Sequence, residues 1–131
     1  MNGQTPDSTT PIKVALMCEN PIVYKTLGPR LDAVRAFKVV GSFDCVIDQV
    51  PDALATQPHV IILAISRITH FNMLICDAIR QTSPTVRMVI LPSYLDAPDD
   101  VQRAREHGVD IVIEKSIDTP TLVEHIHTLV A

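Results

Sequence analysis

The chain has 131 residues, of which 47% are hydrophobic and only 4% aromatic, and its formal net charge is -4. This length suits one domain with a single aliphatic core, and the negative charge disfavours direct nucleic-acid binding, which needs a basic face. The sequence has no apolar run of transmembrane length and no signal-peptide pattern, so we expect a cytoplasmic protein without a membrane partner.

The beginning of the chain is polar and then turns into a strand and a helix. Residues 1–11 are rich in Thr and Pro and have no periodicity, which indicates a disordered leader. Residues 12–17 predict the first strand. Asn20 is expected to cap the helix that follows, with Pro21 in its first turn, where a missing N–H costs nothing.

The most informative segment is the apolar run within residues 59–67. Its aliphatic side chains follow each other without alternation, which predicts a strand buried on both faces at the centre of a parallel sheet. Shorter strands are predicted at residues 37–41, 86–91 and 111–113. Helices are predicted after each strand: one capped by Asp44, one over residues 68–82, one with Pro98 in its first turn and Gly108 after its last, and one capped by Asp118.

Five strands that alternate with five helices predict an α/β fold, a parallel sheet covered on both faces. The five-stranded flavodoxin-like order 2-1-3-4-5 fits the length, and it places the first and third strands side by side. Ligands bind such sheets beyond the carboxyl ends of the strands. The candidate site is therefore the cluster of Cys18, Glu19 and Ala64, flanked by Pro92, Ser93 and Lys115.

Four segments occur in a family-like order: IKVALMCENPIVYKTL, PHVIILAIS, MVILPSY and HGVDIVIEKS. Over residues 12–131 they resemble the receiver domains of two-component response regulators, in particular those that precede helix-turn-helix output domains. The resemblance implies a CheY-like signalling domain that is not an enzyme. It also implies a transcription-regulating output that is not part of this chain.

The resemblance assigns six family positions to this sequence. The acidic pair falls on Cys18 and Glu19, and the phosphorylated aspartate falls on Ala64. The switch hydroxyl falls on Pro92, the switch aromatic on Val112 and the family's lysine on Lys115. Only Glu19 and Lys115 keep the charge type of the family, so the phosphorylation pocket is expected to be degenerate.

Chemistry supports the same expectation. Phosphoryl transfer to a protein needs an acceptor oxygen and a Mg²⁺ ion. Ala64 has no such oxygen, and Glu19 alone would leave Mg²⁺ largely hydrated. Ser66 and Ser93 have no adjacent base to activate them. We therefore predict a pseudo-receiver, a phosphorylation-independent signalling and interaction module. The alternative is a sensor domain that binds a small ligand in the vacated pocket around Ala64.

Several of these residues allow other roles. Cys18 is expected to be a packed thiol, with a redox or ligand-sensing thiol as the alternative. Three cysteines without a C-x-x-C pair predict no disulfide framework and no metal site, and no cofactor is expected. The residues CENP stand where a dinucleotide-binding protein would have its glycine fingerprint. Glu19 is expected to pair directly with Lys115.

A homodimer is predicted through the face made by the fourth helix, the fifth strand and the fifth helix. This expectation follows from the resemblance and from mixed charges on that face, which favour pairing in one register. The charged residues are Arg103, Arg105, Glu106, Asp110 and Glu124.

Overall fold

The computed structural model describes residues 10–114 and 117–130. Five parallel strands form one sheet in the order β2-β1-β3-β4-β5, as predicted. The strands are β1 at Ile12–Cys18, β2 at Phe37–Asp44, β3 at Val60–Ile65, β4 at Arg87–Pro92 and β5 at Ile111–Val112. The helices are α1 at Pro21–Asp32, α2 at Val50–Ala55, α3 at His70–Thr82, α4 at Asp100–Glu106 and α5 at Thr119–Val130, with a 3-10 turn at Ile47–Gln49 before α2. The predicted leader lies almost wholly outside the described residues, and its disorder stays a prediction.

The central strand β3 is buried along its whole length, because apolar layers cover both faces of the sheet. One buried cluster includes side chains from α2, α3 and α4, and the other includes side chains from α1 and α5. The carboxyl ends of β1, β3 and β4 therefore point to one edge, with a helix start after each. No helix in the described part of the chain is long and apolar enough to span a bilayer.

Helix caps read from the sequence have the expected geometry. The Asn20 side chain accepts a hydrogen bond from the Ile22 N–H at 3.0 Å, and Pro21 opens α1. The Asp118 carboxylate accepts from the Thr121 N–H at 3.2 Å, and the hydrogen bonds of the Thr121 hydroxyl and then of its N–H lower the pKa of Asp118. Both caps satisfy N–H groups that a helix start leaves without intrahelical partners.

The strand β2 and the helix after it are present as predicted, but their predicted bounds and the Asp44 cap were wrong. Val14 pairs with Val39 but Ala15 pairs with Gly41, so a bulge lets the strand continue past the glycine to Asp44. Asp44 does not cap a helix; it ends β2 and accepts a hydrogen bond from the Tyr24 hydroxyl at 3.0 Å. The α2 helix begins only at Val50, with a proline in its first turn.

The α4 helix also begins later than predicted, at Asp100, so Pro98 precedes it. Gly108 follows the helix, as expected, with a φ of 92°, a conformation that L side chains rarely adopt. A Cβ at this position would lie 3.0 Å from Nε of Arg80. Glycine is thus required both by the backbone conformation and by the arginine packed against it.

Arg80 joins three segments at the amino edge of the sheet. Its Nη1 donates to the carbonyl oxygens of Pro84 at 2.9 Å and Val86 at 2.6 Å. Its Nη2 donates to the Gly108 carbonyl at 2.7 Å and to the Asp110 carboxylate at 3.3 Å. The fork of a guanidinium can serve all these acceptors at once, whereas a lysine cannot.

Arg80→Ala is expected to lower the free energy of unfolding by about 2–3 kcal/mol, because partly buried acceptors lose a charged donor. Arg80→Lys should recover less than half of this loss, because one ammonium group cannot reach both the carbonyl oxygens after α3 and the Gly108 carbonyl oxygen between α4 and β5. Urea unfolding measures both values. Arg105→Ala, an exposed change on α4, is the control and should stay within about 0.5 kcal/mol of the parent.

Candidate functional site

The sheet register brings four of the predicted site residues to its carboxyl edge. Cys18 at the end of β1 lies opposite Ala64 in β3, and Ile65 lies opposite Pro92 in β4. Cys18 and Ala64 are each 1% exposed, and the Glu19 N–H donates to the Ala64 carbonyl oxygen at 3.1 Å. The side chain of Ala64 is a methyl group, so it offers no oxygen that could accept a phosphoryl group at this edge. The role of these residues as a former phosphorylation pocket stays a prediction.

The Glu19 carboxylate is already engaged within the chain. Its Oε1 accepts a hydrogen bond from the Ser66 N–H, and its Oε2 accepts from Nδ2 of Asn72 at 3.4 Å. Asn72 is only 2% exposed and also donates to the Arg67 carbonyl at 3.0 Å. One carboxylate therefore ties the end of β1 to the loop after β3 and to the first turn of α3.

Of the two remaining predicted positions, one lies outside the described residues and the other lies in β5. Lys115 lies outside the described residues, so the predicted ion pair between Glu19 and Lys115 stays a prediction. Val112 pairs with Ile90 in the sheet and packs, partly buried, against the core on the α3 side. It offers an aliphatic side chain, not a ring that could turn between two positions.

All three cysteines are buried, and none forms a disulfide. Burial raises the pKa of both Cys45 and Cys76 to about 12. These two thiols are therefore protonated at neutral pH, which makes them poor nucleophiles and poor metal ligands. Within residues 10–114 and 117–130, no three His, Cys, Asp or Glu side chains come together as a metal site would require.

The loop after β3 is also fixed from the side of β4. The N–H groups of Ser93 and Tyr94 donate to the Ser66 carbonyl oxygen at 3.1 and 2.9 Å. Arg67 forms an ion pair with Asp96 and lies over the Tyr94 ring, with 4.9 Å from its Cζ to the ring centroid. The Asp96 carboxylate raises the pKa of Arg67, so the arginine remains charged. Sequence reasoning did not find this contact between two loops.

Two side chains of α4, one acidic and one basic, hold the loop after β4 and the loop after β3. The buried Asp100 carboxylate accepts hydrogen bonds from the N–H groups of Asp96 at 2.7 Å and Ala97 at 3.0 Å. These bonds, led by that of Ala97, lower the pKa of Asp100. Arg103 donates to the Ile68 carbonyl oxygen and lies 3.2 Å from the Asp100 carboxylate.

A cleft of about 740 Å³ opens beyond the end of β4. It is lined by residues 92–96 together with Arg67 and Glu114, and Ala64 is not among its lining residues. The cleft therefore lies one strand away from Ala64, and the vacated pocket expected around Ala64 stays a prediction. The signal that could have found the cleft is the mixed segment of Tyr, Leu and Asp directly after the fourth strand, by the same rule of strand ends.

Comparison with solved structures shows that the chain has the fold of response regulator receiver domains. It is similar to the receiver domain of the response regulator NarL from Mycobacterium tuberculosis, with 17% identity, a TM-score of 0.80 and coverage of 92% of this chain and 97% of that one. It is also similar to the response regulator domain of CheB from Thermotoga maritima, with 21% identity, a TM-score of 0.75 and coverage of 92% and 96%.

A longer protein shares the same fold over part of its length. RcsB from Salmonella enterica serovar Typhimurium, bound to the promoter rprA, is 16% identical with a TM-score of 0.75 over 92% of this chain and 60% of the RcsB chain. No protein-family model matches the sequence, and a search of curated proteins finds no significant match.

Asp100→Asn is expected to lower the free energy of unfolding at neutral pH by about 1–2 kcal/mol, because an amide oxygen is a weaker acceptor than a carboxylate. The native pKa of Asp100 is below its ordinary value of about 3.9. Its contribution is therefore complete above about pH 4 and is lost as the pH falls through the native pKa.

Urea unfolding of parent and variant across acid and neutral pH measures this difference, which should shrink at the acid end. Asp99→Asn is the matched control, since Asp99 is exposed and caps no N–H with its side chain. A difference that persists unchanged at low pH would show that the carboxylate charge is not the cause.

Proposed function

We propose that this chain is a phosphorylation-independent signal-transduction module with the receiver fold, which acts through protein contacts and not as an enzyme. The observation that carries the proposal is Ala64 at the carboxyl end of the central strand, opposite Cys18. In this proposal Cys18, Glu19, Ala64, Pro92 and Lys115 are the remains of a phosphorylation pocket, and Val112 occupies the former switch position.

The contacts of Glu19 support the same proposal. A phosphoryl group would bring negative charge to the strand ends and would need N–H donors there. The Ser66 N–H is already bonded to the Glu19 carboxylate, which brings a negative charge of its own. In this proposal the Glu19 carboxylate supplies a constant negative charge at the edge, in place of a phosphoryl group that would be added and removed.

Regulation of transcription is the proposed output, through a DNA-binding domain on another segment or a partner chain. RcsB, one protein with this fold, is bound to a promoter, and this chain spans 60% of it. A homodimer through α4, β5 and α5 belongs to the proposal. On that face Arg105, Glu106 and Glu124 lie exposed, whereas Arg103 and Asp110 bond within the chain.

A small-ligand sensor is the second candidate function, and the cleft beyond β4 favours it. Its volume of about 740 Å³ lies in the range of small-molecule sites, which is roughly 300–1,000 Å³. The ring of Tyr94 and the side chain of Leu95 supply apolar surface there, and Arg67 supplies a charge. NMR shifts confined to residues 92–96 on addition of a metabolite would favour this function.

Incubation with acetyl phosphate or beryllofluoride and Mg²⁺ is expected to leave the mass and the NMR spectrum of the protein unchanged, because Ala64 offers no oxygen to the phosphoryl group. Mass spectrometry and amide spectra measure the outcome. A receiver that has an aspartate at the matching strand end serves as the positive control. A stable phosphoryl adduct at the strand ends would contradict the proposal.

Glu19→Ala is expected to speed hydrogen exchange of the Ser66 amide by about tenfold, because the N–H loses its acceptor and the loop loses its tie to β1. Glu19→Gln keeps an acceptor oxygen without the charge and should lie between the parent and Glu19→Ala. Glu106→Ala removes an exposed acid elsewhere and should leave this amide unchanged. Equal exchange in all four proteins would mean that the carboxylate does not hold the loop.

A further inference from the structure

The large apolar side chains that are exposed in the described part of the chain lie on one side of the molecule. All of them follow the carboxyl ends of β1, β2, β3 or β4, and none lies on the described parts of α4, β5 or α5. Four of them belong to two elements that touch each other, the 3-10 turn with its preceding residue and the first half of α3. Their exposed fractions are 40% for Val46, 45% for Ile47, 58% for Phe71 and 41% for Leu74.

These four residues are called the apolar patch, and the two elements that carry them pack on the same buried cluster. Phe71 and Leu74 are three residues apart on α3 and so share one face of the helix. Cys45 and Val50 flank the 3-10 segment and belong to the same buried cluster as Ile75 of α3. The two elements are packed together below the surface, while their outer side chains remain in solvent.

The charge around the apolar patch has a single sign. From residue 44 to residue 79 the sequence contains four aspartates and a single Lys or Arg residue, Arg67, besides His59 and His70. Arg67 is turned toward Asp96 and the Tyr94 ring on the other side of the loop after β3. Asp48 lies in the 3-10 turn and Asp52 in the first turn of α2, and both carboxylates are exposed without an ion-pair or hydrogen-bond partner among the described residues.

From this combination we infer that the apolar patch is the docking surface for an amphipathic segment of another protein that carries Lys or Arg beside its apolar side chains. Apolar side chains supply the buried contact and the aspartates select the charge of the partner. The inference rests on the proposed function as an interaction module and names the surface through which it works. An exposed Phe among aliphatic neighbours is the kind of anchor on which interfaces depend.

The same charges argue against other occupants of this surface. A second copy placed on the patch about a twofold axis would set Asp48 and Asp52 against acids of the same sign, on a chain whose net charge is already -4. The predicted dimer face, α4 with β5 and α5, is separate from the patch. Nucleic acid and anionic lipid would be repelled by the aspartates for the same reason.

The test uses two short synthetic helical peptides, one of Leu and Lys and one of the same pattern with Glu in place of Lys. The Leu/Lys peptide is expected to shift the amide signals of the apolar patch, and its affinity should fall with added salt. Phe71→Ser combined with Leu74→Ser should weaken binding at least about tenfold. Asp48→Asn combined with Asp52→Asn should weaken it about threefold or more and reduce its salt dependence.

The matched control is Ile22→Ser, which removes another exposed apolar side chain at the same edge, outside both the patch and the cleft, and should leave the affinity unchanged. Any of three peptide results would overturn the inference: no binding of the Leu/Lys peptide, equal binding of the Leu/Glu peptide, or shifts at residues 92–96 that survive the Phe71 and Leu74 changes. Shifts of the patch signals with protein concentration alone would assign the surface to a second copy and also overturn it. The peptide test and the acetyl phosphate test are independent of each other. If the Leu/Lys peptide does not bind, the docking surface is wrong, but the proposed phosphorylation-independent function is not contradicted.

Discussion

The burial of β3 on both faces is the constraint on which the rest of the molecule depends. All six residues of this strand are buried, so its backbone groups must be paired with β1 on one side and β4 on the other. That pairing aligns the ends of three strands at one edge. The loop that follows, residues 66–69, is then the place where β1, β4 and α4 all reach the same short segment.

Much of the fold follows from short sequence patterns that predict local structure. The run of aliphatics in β3, the caps at Asn20 and Asp118 and the glycine after α4 each act within a few residues. Such signals predict the element type and, with the preference for right-handed crossovers, the strand order. They also place Cys18, Ala64 and Pro92 at one edge, because strand ends alone determine that arrangement.

The parts that could not be predicted depend on contacts between distant residues. Gly41 has the appearance of a strand end, yet the bulge opposite Val14 and Ala15 carries β2 on to Asp44. The acceptors of Arg80 lie in a turn and at a position 28 residues away, and no local sequence pattern predicts them. The Glu19 carboxylate accepts a hydrogen bond from the backbone N–H of Ser66. A prediction that pairs charged side chains with each other does not consider backbone donors.

A receiver fold works as a switch only if a segment at its carboxyl edge has two arrangements of similar free energy. Here the segment after β3 is held by the Glu19 carboxylate, by the N–H groups of Ser93 and Tyr94, and by Arg103 of α4. Each of these contacts joins two groups of the chain itself, and all of them stabilise the same arrangement. Under the proposed function, the consequence is a surface that is always presented. Regulation would then come from the concentration or the modification of the partner and not from a change of state in this chain.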